Sequence, residues 1–282
     1  VANDKEGFFT ASNGDRLNEI GWKTNIGFKN FKTIFTDKEL RGPLLGVLIW
    51  TFEFALGSVL TTFILGLALA LLLNDERIKG LKIYRSILIL PYAFPAFLSA
   101  YVWKGMYNTD HGFINNSILH LSDAHKIHWL EQQGPARAAI LIMNLWLGFP
   151  YMMIICMGLL KAIPDDLYEA SAIDGANFIT NFTRITLPMM LKPLTPLLIA
   201  SFAFNFNNFV LIQLLTGGGP NMIGTSEPAG YTDLLVSYTY RIAFEGAGGQ
   251  DFGLASAVAT LIFLLVGALA LINLRVTKVA QD

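Results

Sequence analysis

The chain has 282 residues, of which 53% are hydrophobic and 15% are charged, and its formal net charge is −1. A charged fraction well below that of soluble domains, with a mean hydropathy of +0.48, predicts a membrane protein. The near-neutral charge argues against nucleic-acid binding, and the single cysteine, Cys156, excludes an internal disulfide.

The first 42 residues are polar and precede the first long apolar run. They begin with Val1 rather than methionine, and no basic-then-apolar leader precedes that run. We therefore expect a piece of a longer polypeptide, with residues 1–42 outside the membrane and residues 43–282 forming a transmembrane domain.

Five apolar runs reach the length of about 20 residues that a spanning helix needs. They cover approximately residues 44–73, 86–107, 138–160, 189–215 and 252–274. This predicts an all-α membrane protein with about five transmembrane helices. Three of the runs contain prolines, at Pro91, Pro95, Pro150, Pro193 and Pro196. A proline in a bilayer frees a carbonyl that a neighbouring helix or a cavity must satisfy, so a transporter core is indicated, with kinked packing helices as the alternative.

Basic residues are concentrated in alternate connections. They lie after the first run, after the third run and in the tail, at Arg77, Lys79, Lys82, Arg85, Lys161, Arg184, Lys192, Arg275 and Lys278. The other two connections are poorer in lysine and arginine. By the positive-inside rule, the first set is cytoplasmic and residues 1–42 lie on the outer side.

Polar residues interrupt the fourth run in the stretch SFAFNFNNF, residues 201–209. On one helix, Ser201, Asn205 and Asn208 stand at i, i+4 and i+7, so we predict a single polar face with Phe204 beside it. Two interpretations remain open, an interhelical hydrogen-bonding contact and a pathway or binding face. Hydrogen bonds between spanning helices average only about 0.6 kcal/mol, which favours the second. Hydroxyl, amide and aromatic groups without charge suit a neutral, hydroxyl-rich solute such as a sugar.

The connection between the third and fourth runs is too patterned for a plain turn. Acidic residues after Pro164 favour a helix start, and Gly175 can end that helix. One face carries mostly small side chains, Leu167, Ala170, Ser171 and Asp174. A second short helix is predicted up to about Arg184. We interpret the segment as a docking element; the alternative is a helix on the lipid interface, which would favour basic and larger apolar residues.

The same connection has the spacing E-A-A-x3-G-x9-I-x-L-P. It is carried by Glu169, Ala170, Gly175, Ile185, Leu187 and Pro188, with Ser171 in place of the second alanine. This spacing resembles the EAA loop of permease subunits of bacterial ABC importers. The stretches LPYAFP, LGFPYMMIICMGLLKAIPDDLYEAS and SFAFNFNNFVLIQLLTGGGP resemble the maltose/maltodextrin branch of that family, and the resemblance covers nearly the whole chain.

The resemblance implies a MetI-like permease core in a bacterial inner membrane. Residues 1–42 would end a larger periplasmic insertion, and residues 161–188 would form the coupling loop. The implied ATPase-coupling residues are Glu169, Ala170, Ser171, Gly175, Leu187 and Pro188. The implied sugar contacts are Tyr92, Gly148, Ser201, Phe204, Asn205 and Asn208. Ala96 stands where the family has a serine, which removes one hydroxyl partner for the sugar.

By the same resemblance, the chain is a non-catalytic subunit that moves maltose or maltodextrin from periplasm to cytoplasm by alternating access. The implied partners are a second, MalG-like permease subunit, two cytosolic MalK-like ATPase subunits and a periplasmic sugar-binding protein. No G-x-x-x-x-G-K-[ST] motif occurs, so we expect no cofactor on this chain and ATP with magnesium on the ATPase subunits. The four histidines match no standard zinc spacing, and no metal site is predicted.

Three other functions stay open. One is a permease for another neutral sugar or polyol. The second is a membrane-embedded enzyme acting on lipid-linked sugar, and the third is a proton-driven transporter; both need a carboxylate or histidine inside the membrane. Glu53 is the candidate, but a span drawn over residues 54–73 leaves it at the outer boundary.

Overall fold

The fold is given by a computed structural model that describes residues 2–3, 8–12, 24–75, 77–225, 228–246 and 251–281. The α-helices in this part of the chain are α1 (Lys29–Thr36), α2 (Lys38–Leu72), α3 (Leu81–Ala93), α4 (Ala96–Met106), α5 (Gln133–Lys161), α6 (Asp165–Ile173), α7 (Phe178–Asn181), α8 (Leu187–Phe206), α9 (Phe209–Leu215), α10 (Leu235–Phe244) and α11 (Phe252–Gln281).

Helices dominate, and the other elements are short. Two π-helical turns cover Ile114–Ile118 and Phe182–Thr186, and a 3-10 turn covers Asp123–His125. The strands β1 (Ala2–Asn3) and β2 (Phe8–Phe9) form one antiparallel pair of two residues each. The predicted all-α fold class is therefore confirmed. The predicted boundary at residue 42 stays a prediction, and α2 runs through this position.

Three of the five apolar runs form helices that are long and apolar enough to cross a membrane. They are α2, α5 and the continuous helical stretch Phe178–Phe206. The fifth run lies in α11, a helix of 30 residues whose apolar part includes Phe252–Ala268. The structure thus supports a multi-span chain with two differences from the prediction, in the second and fourth runs.

The second run was predicted as one helix and is instead a bent pair. Helices α3 and α4 meet at 93°. The break falls at Phe94, which has the extended values φ −79° and ψ 135°. The ring of Pro95 crowds the preceding residue and disfavours helical geometry there, so the proline ends α3 rather than kinking one long helix.

The fourth run was also predicted as one helix, but α8 ends at Phe206 and α9 begins at Phe209. Asn208 has left helical geometry, with φ −77° and ψ 74°, and its side chain accepts a hydrogen bond from the backbone N–H of Leu211. It is therefore the N-cap of α9. The prediction that Asn208 continues the face of Ser201 and Asn205 is wrong, because the helical periodicity stops before it.

The chain divides into two compact units. The first comprises Val1–Glu53, Ala100–Ile140 and Phe206–Gly267. The second comprises Phe54–Ser99, Leu141–Asn205 and Ala268–Asp282. Each unit takes its helices from distant parts of the sequence, so each core depends on long-range packing.

The core of the second unit lies at the ends of α2 and α5 that adjoin the predicted cytoplasmic connections. Its buried residues are Leu67, Ala70, Leu73, Met153, Cys156, Leu160, Ile163 and Met190, here called the inner cluster. Side chains of α6 and of the turn before α8 pack against it. The predicted α6 is confirmed: it follows Pro164 and ends before Gly175, whose φ of +76° is left-handed.

Candidate functional site

Asn205 in α8 is the best-buried residue of the predicted sugar contacts. Only 6% of it is exposed. Its Nδ2 donates to the carbonyl oxygen of Ser201 at 2.9 Å, and its Oδ1 accepts from Nδ2 of Asn144 at 2.9 Å. An amide can donate two hydrogen bonds and accept two, so half of its capacity is used inside the second unit. Asn205 therefore links α8 to α5 and retains one donor and one acceptor position for another group.

Phe204 lies on a different side of α8 from Asn205. It is 72% exposed, whereas its neighbour is buried. Successive side chains on a helix are separated by about 100°, which turns the ring away from the packed face. Ser201 is half-buried on the Asn205 side. Helix α8 thus carries the hydrogen-bonded amide of Asn205 next to the exposed ring of Phe204.

Tyr92 has an exposed side chain, whereas Gly148 lies where two helices of the second unit approach closely. Tyr92 is exposed at the end of α3, and its ring stacks on Tyr151 with centroids 6.1 Å apart. Gly148 has no side chain to bind a solute; a Cβ there would lie 2.9 Å from Cγ2 of Thr62. Gly148 therefore permits close approach of α5 to α2, whatever its role toward a sugar.

Three residues of α5 near these contacts were not predicted from the sequence. Asn144 donates to Asn205, Tyr151 stacks on Tyr92, and Trp146 stacks on Phe94 with centroids 6.5 Å apart. A signal for two of them was present in the sequence. Asn144 and Tyr151 stand at i and i+7 around Gly148, the same spacing that marked the polar face of the fourth run.

Asn208 is part of the first unit, whereas the other five predicted sugar contacts are part of the second. A cavity of about 460 Å³ in that unit is lined by parts of α2 and α5 and by the segment 222–225. In the described part of the chain, its lining includes Arg137 and Tyr231 and none of the six predicted sugar contacts.

Glu53, the predicted intramembrane acid candidate, is half-exposed. Its carboxylate lies 3.5 Å from Nη1 of Arg137. Arg137 also stacks over the Trp50 ring at 4.3 Å and donates from Nε to the carbonyl oxygen of Tyr231 at 3.0 Å. The half-exposed position and the ion pair of Glu53 favour the interfacial interpretation.

Buried charge joins α10 to the segment that precedes it, at Arg241 and Asp233. Arg241 donates to Asp233 at 2.8 Å, to Asn221 at 2.8 Å and to Glu245 at 3.0 Å. Asp233 also accepts from the backbone N–H of Gly230 and from the Ser237 hydroxyl. Burial raises the pKa of the Asp233 carboxyl, and Arg241 with these hydrogen bonds opposes that rise. The network fixes the fold of this segment.

The predicted coupling residues are mostly at the surface. Glu169, Ala170, Gly175 and Pro188 are exposed, whereas Ser171 and Leu187 are half-buried. Large apolar side chains beside them are also exposed, with Ile173 at 87%, Phe178 at 71% and Ile179 at 70%. We call Ile173, Phe178 and Ile179 the inner apolar patch. An exposed apolar patch bordered by polar residues is typical of an interaction surface.

The helix predicted up to about Arg184 has no break before the fourth span. Asn177 caps α7, the π-helical turn Phe182–Thr186 follows, and α8 continues from Leu187. The wider turn keeps the backbone hydrogen-bonded where a separate helix end was expected. π-Helical turns inside longer helices are frequent at functional sites.

Comparison with known proteins agrees with this architecture. Residues 62–278 match the family described as binding-protein-dependent transport system inner membrane component. The maltose/maltodextrin transport system permease protein MalF of Vibrio parahaemolyticus is 69% identical over 265 residues, which is 93% of this chain and 50% of that protein. The chain thus spans about half the length of the curated relatives it matches.

Two solved structures share the fold. A bacterial ABC transporter involved in import of the acidic polysaccharide alginate has a TM-score of 0.74 at 23% identity, over 91% of this chain and 85% of that chain. An alginate transporter in complex with its alginate pentasaccharide-bound periplasmic protein has a TM-score of 0.72 at 25% identity, over 90% and 84%. The resemblance predicted from the EAA spacing is confirmed, and the chain belongs to the family of binding-protein-dependent transport system inner membrane components.

Proposed function

We propose that the chain is the permease part of an ATP-driven importer that moves maltose or maltodextrin from periplasm to cytoplasm. The observation that carries this proposal is the 69% identity, over 93% of the chain, to a protein named as a maltose/maltodextrin permease. The chain itself is non-catalytic in this proposal, because the energy comes from ATP hydrolysis on partner subunits that bind ATP and magnesium.

The sugar contacts proposed in the second unit are Tyr92, Gly148, Ser201, Phe204 and Asn205, and Asn208 stays a prediction of the family resemblance. Their side chains carry no charge. The exposed rings of Tyr92 and Phe204 can cover the apolar face of a glucose unit. The remaining donor and acceptor of Asn205 can bind a hydroxyl that approaches α8. These properties favour a neutral saccharide over an ion.

The coupling residues proposed are Glu169, Ala170, Ser171, Gly175, Leu187 and Pro188. Helix α6 carries Asp165, Asp166 and Glu169 together with an exposed apolar side chain at Ile173. The anionic surface of a membrane repels such an acidic helix, whereas a protein cleft can accept it. This charge supports docking on an ATPase subunit over rest on the lipid interface.

The partners proposed are a second, MalG-like permease subunit, two MalK-like ATPase subunits and a periplasmic sugar-binding protein. A complex of the permease type with a loaded periplasmic protein exists for the alginate transporter that shares the fold. We further propose residues 1–42 as the end of a periplasmic segment and residues 43–282 as the transmembrane domain, with the coupling loop at 161–188.

A permease for another neutral sugar or polyol is the second candidate. Ala96 favours it, since this position lacks the hydroxyl of the family serine and is the first residue of α4, four positions after Tyr92. An acidic sugar such as alginate is disfavoured, because the six proposed contacts offer no cation to pair with a carboxylate.

The test is uptake by the full-length protein in its complete complex, reconstituted into liposomes. Labelled maltose, maltotriose, sorbitol and an alginate oligosaccharide are supplied with and without ATP inside and binding protein outside. Uptake of maltose or maltotriose that needs both ATP and the binding protein supports the proposal. Uptake of sorbitol alone favours the second candidate, and ATP-independent uptake of any solute contradicts the importer.

A further inference from the structure

Tyr168 anchors α6 to the rest of the second unit. It is half-buried, and its ring packs against the inner cluster. The adjacent residues Leu167 and Glu169 are exposed to solvent instead. Helix α6 thus presents an outer face to a partner and inserts one aromatic side chain into the core between the ends of α2 and α5.

The hydroxyl of Tyr168 reaches a second element. It shares a hydrogen bond with the hydroxyl of Thr186, with the two oxygens 2.9 Å apart. Thr186 is buried and is the last residue of the π-helical turn that leads directly into α8. The Tyr168 side chain therefore connects α6 to two elements. Its ring contacts the inner cluster, and its hydroxyl contacts Thr186, the residue immediately before α8.

The chain connections of α6 are poorly suited to carry a directed movement. Before α6 lies a short turn at Ala162–Pro164, and after it lies Gly175 with a left-handed φ of +76°. Such turns change direction with small changes in backbone dihedrals. The Tyr168–Thr186 bond bridges 18 residues and bypasses the second of these turns.

We propose that Tyr168 is a positioning residue that transmits movement of α6 to α8 through the Thr186 hydroxyl. The inference rests on the proposed function, in which a partner ATPase moves α6. Displacement of α6 pulls the Tyr168 hydroxyl, and the hydroxyl holds Thr186, so the start of α8 follows. Without the bond, α6 still docks and still packs, but α8 is no longer forced to move with it.

The variants Tyr168→Phe and Thr186→Val separate this role from packing. Each removes one partner of the hydrogen bond and keeps the size of the side chain. Loss of a hydrogen bond between neutral groups corresponds to about a two- to tenfold change in an equilibrium. We therefore expect the number of ATP molecules hydrolysed per sugar taken up to rise by about two- to tenfold in either variant, with assembly unchanged.

The experiment uses the full-length protein in its complete complex in liposomes, with ATP hydrolysis and maltose uptake measured on the same preparation. Thr195→Val is the matched control, because the Thr195 hydroxyl donates to Leu191 within α8 itself. Thr186→Val also removes a longer hydrogen bond, 3.4 Å, that the Thr186 hydroxyl donates to the carbonyl oxygen of Asn181. The double variant Tyr168→Phe/Thr186→Val should therefore be no worse than Thr186→Val alone, because that variant has already lost the bond to Tyr168.

Three outcomes overturn the inference. An unchanged ratio of hydrolysis to uptake shows that the bond transmits nothing. A parallel fall in hydrolysis, uptake and amount of assembled complex shows a merely structural role. Additive effects in the double variant show that the two hydroxyls act separately. A wild-type complex without ATP-dependent uptake contradicts the proposed function instead, so the two failures are distinguishable.

Discussion

Different kinds of interaction stabilise the interior of each of the two units. In the first unit, the segment around Asp233 and Arg241 is fixed by a buried ion pair and by four further hydrogen bonds, to Gly230, Ser237, Glu245 and Asn221. In the second unit, the pairs Asn144–Asn205 and Tyr168–Thr186 link helices through neutral groups, beside an apolar core.

This difference matters for movement. A buried charge that loses its partner costs several kcal/mol, so a charged network favours one geometry strongly. A neutral hydrogen bond contributes about 1 kcal/mol and can be exchanged for a bond to water or to a substrate. The Asn144–Asn205 pair, which involves a proposed sugar contact, is therefore a link that a transport cycle can break and remake.

The largest effect is expected when the ion pair of the first unit is broken. Arg241→Met leaves the Asp233 carboxylate buried without its cation, which should lower the free energy of unfolding by about 3–5 kcal/mol. Thermal unfolding of the full-length protein in detergent measures this. The control Glu245→Gln removes only the half-exposed partner and should change stability by less than about 1 kcal/mol. Equal losses in the two variants would contradict the assignment of this cost to the buried Asp233–Arg241 pair.

The same variant has a predicted pH dependence. Burial raises the pKa of Asp233, and removal of Arg241 removes an opposing influence. An acid with a raised pKa binds its proton more tightly in the folded state than in the unfolded chain, so its favourable contribution is complete at low pH and is lost as the pH rises through the folded-state pKa. Arg241→Met should therefore be closer to wild-type stability in acidic than in alkaline buffer.

A second large effect is expected at the end of α6. Gly175 has φ +76°, which proline cannot adopt, and its N–H donates to the carbonyl oxygen of Ala172. Gly175→Pro should cost about 3 kcal/mol locally and displace α6, so that ATP hydrolysis continues without sugar uptake. Gly175→Asn, which tolerates the left-handed region, is the control. Normal coupling in the proline variant would count against α6 as the docking helix.

A smaller effect is expected where α5 approaches α2. Gly148→Ala places a Cβ 2.9 Å from Cγ2 of Thr62 and should cost about 1–3 kcal/mol by overpacking. Adding Thr62→Ser removes the clashing methyl group and should restore stability. Gly158→Ala, with no atom within 4 Å of the new Cβ, is the control. Uptake that stays low after stability is restored would assign Gly148 to the sugar route as well as to packing.

The smallest change in stability is expected for the amide pair of α5 and α8. Asn144→Leu/Asn205→Leu removes both partners of the hydrogen bond, and such bonds between spanning helices average about 0.6 kcal/mol. The complex should assemble normally, yet maltose uptake should fall at least tenfold because the proposed sugar contact is gone. Failure of Asn205→Leu to assemble, repaired in the double variant with full uptake, would establish the interhelical interpretation.

Local patterns predicted much of the architecture. The apolar runs indicated the spanning helices, and Pro164 with Gly175 marked the bounds of α6. Each of these signals acts within one or two helical turns, where side-chain geometry depends on sequence alone. The EAA spacing then led to the family, which the comparison with known proteins confirmed.

Two predicted helices were wrong because a proline or a capping asparagine ends each of them early. Pro95 forces Phe94 into an extended conformation, so one predicted span became α3 and α4. Asn208 caps α9, so the predicted polar face contains Ser201 and Asn205 in α8, and Asn208 is a helix cap instead. Apolar composition marks what can lie in a bilayer, but it does not determine where the backbone hydrogen bonds are interrupted.

The sequence by itself determined that the chain is an inner-membrane component of a binding-protein-dependent transport family with a helical segment between its third and fourth apolar runs, because hydrophobicity and motif spacing are local properties. Only the tertiary structure decided which polar groups pair. Asn144 and Asn205 are 61 residues apart, and Tyr168 and Thr186 are 18 apart. A hydrogen bond depends on distances of a few tenths of an ångström, and these are set by the packing of whole helices rather than by periodicity.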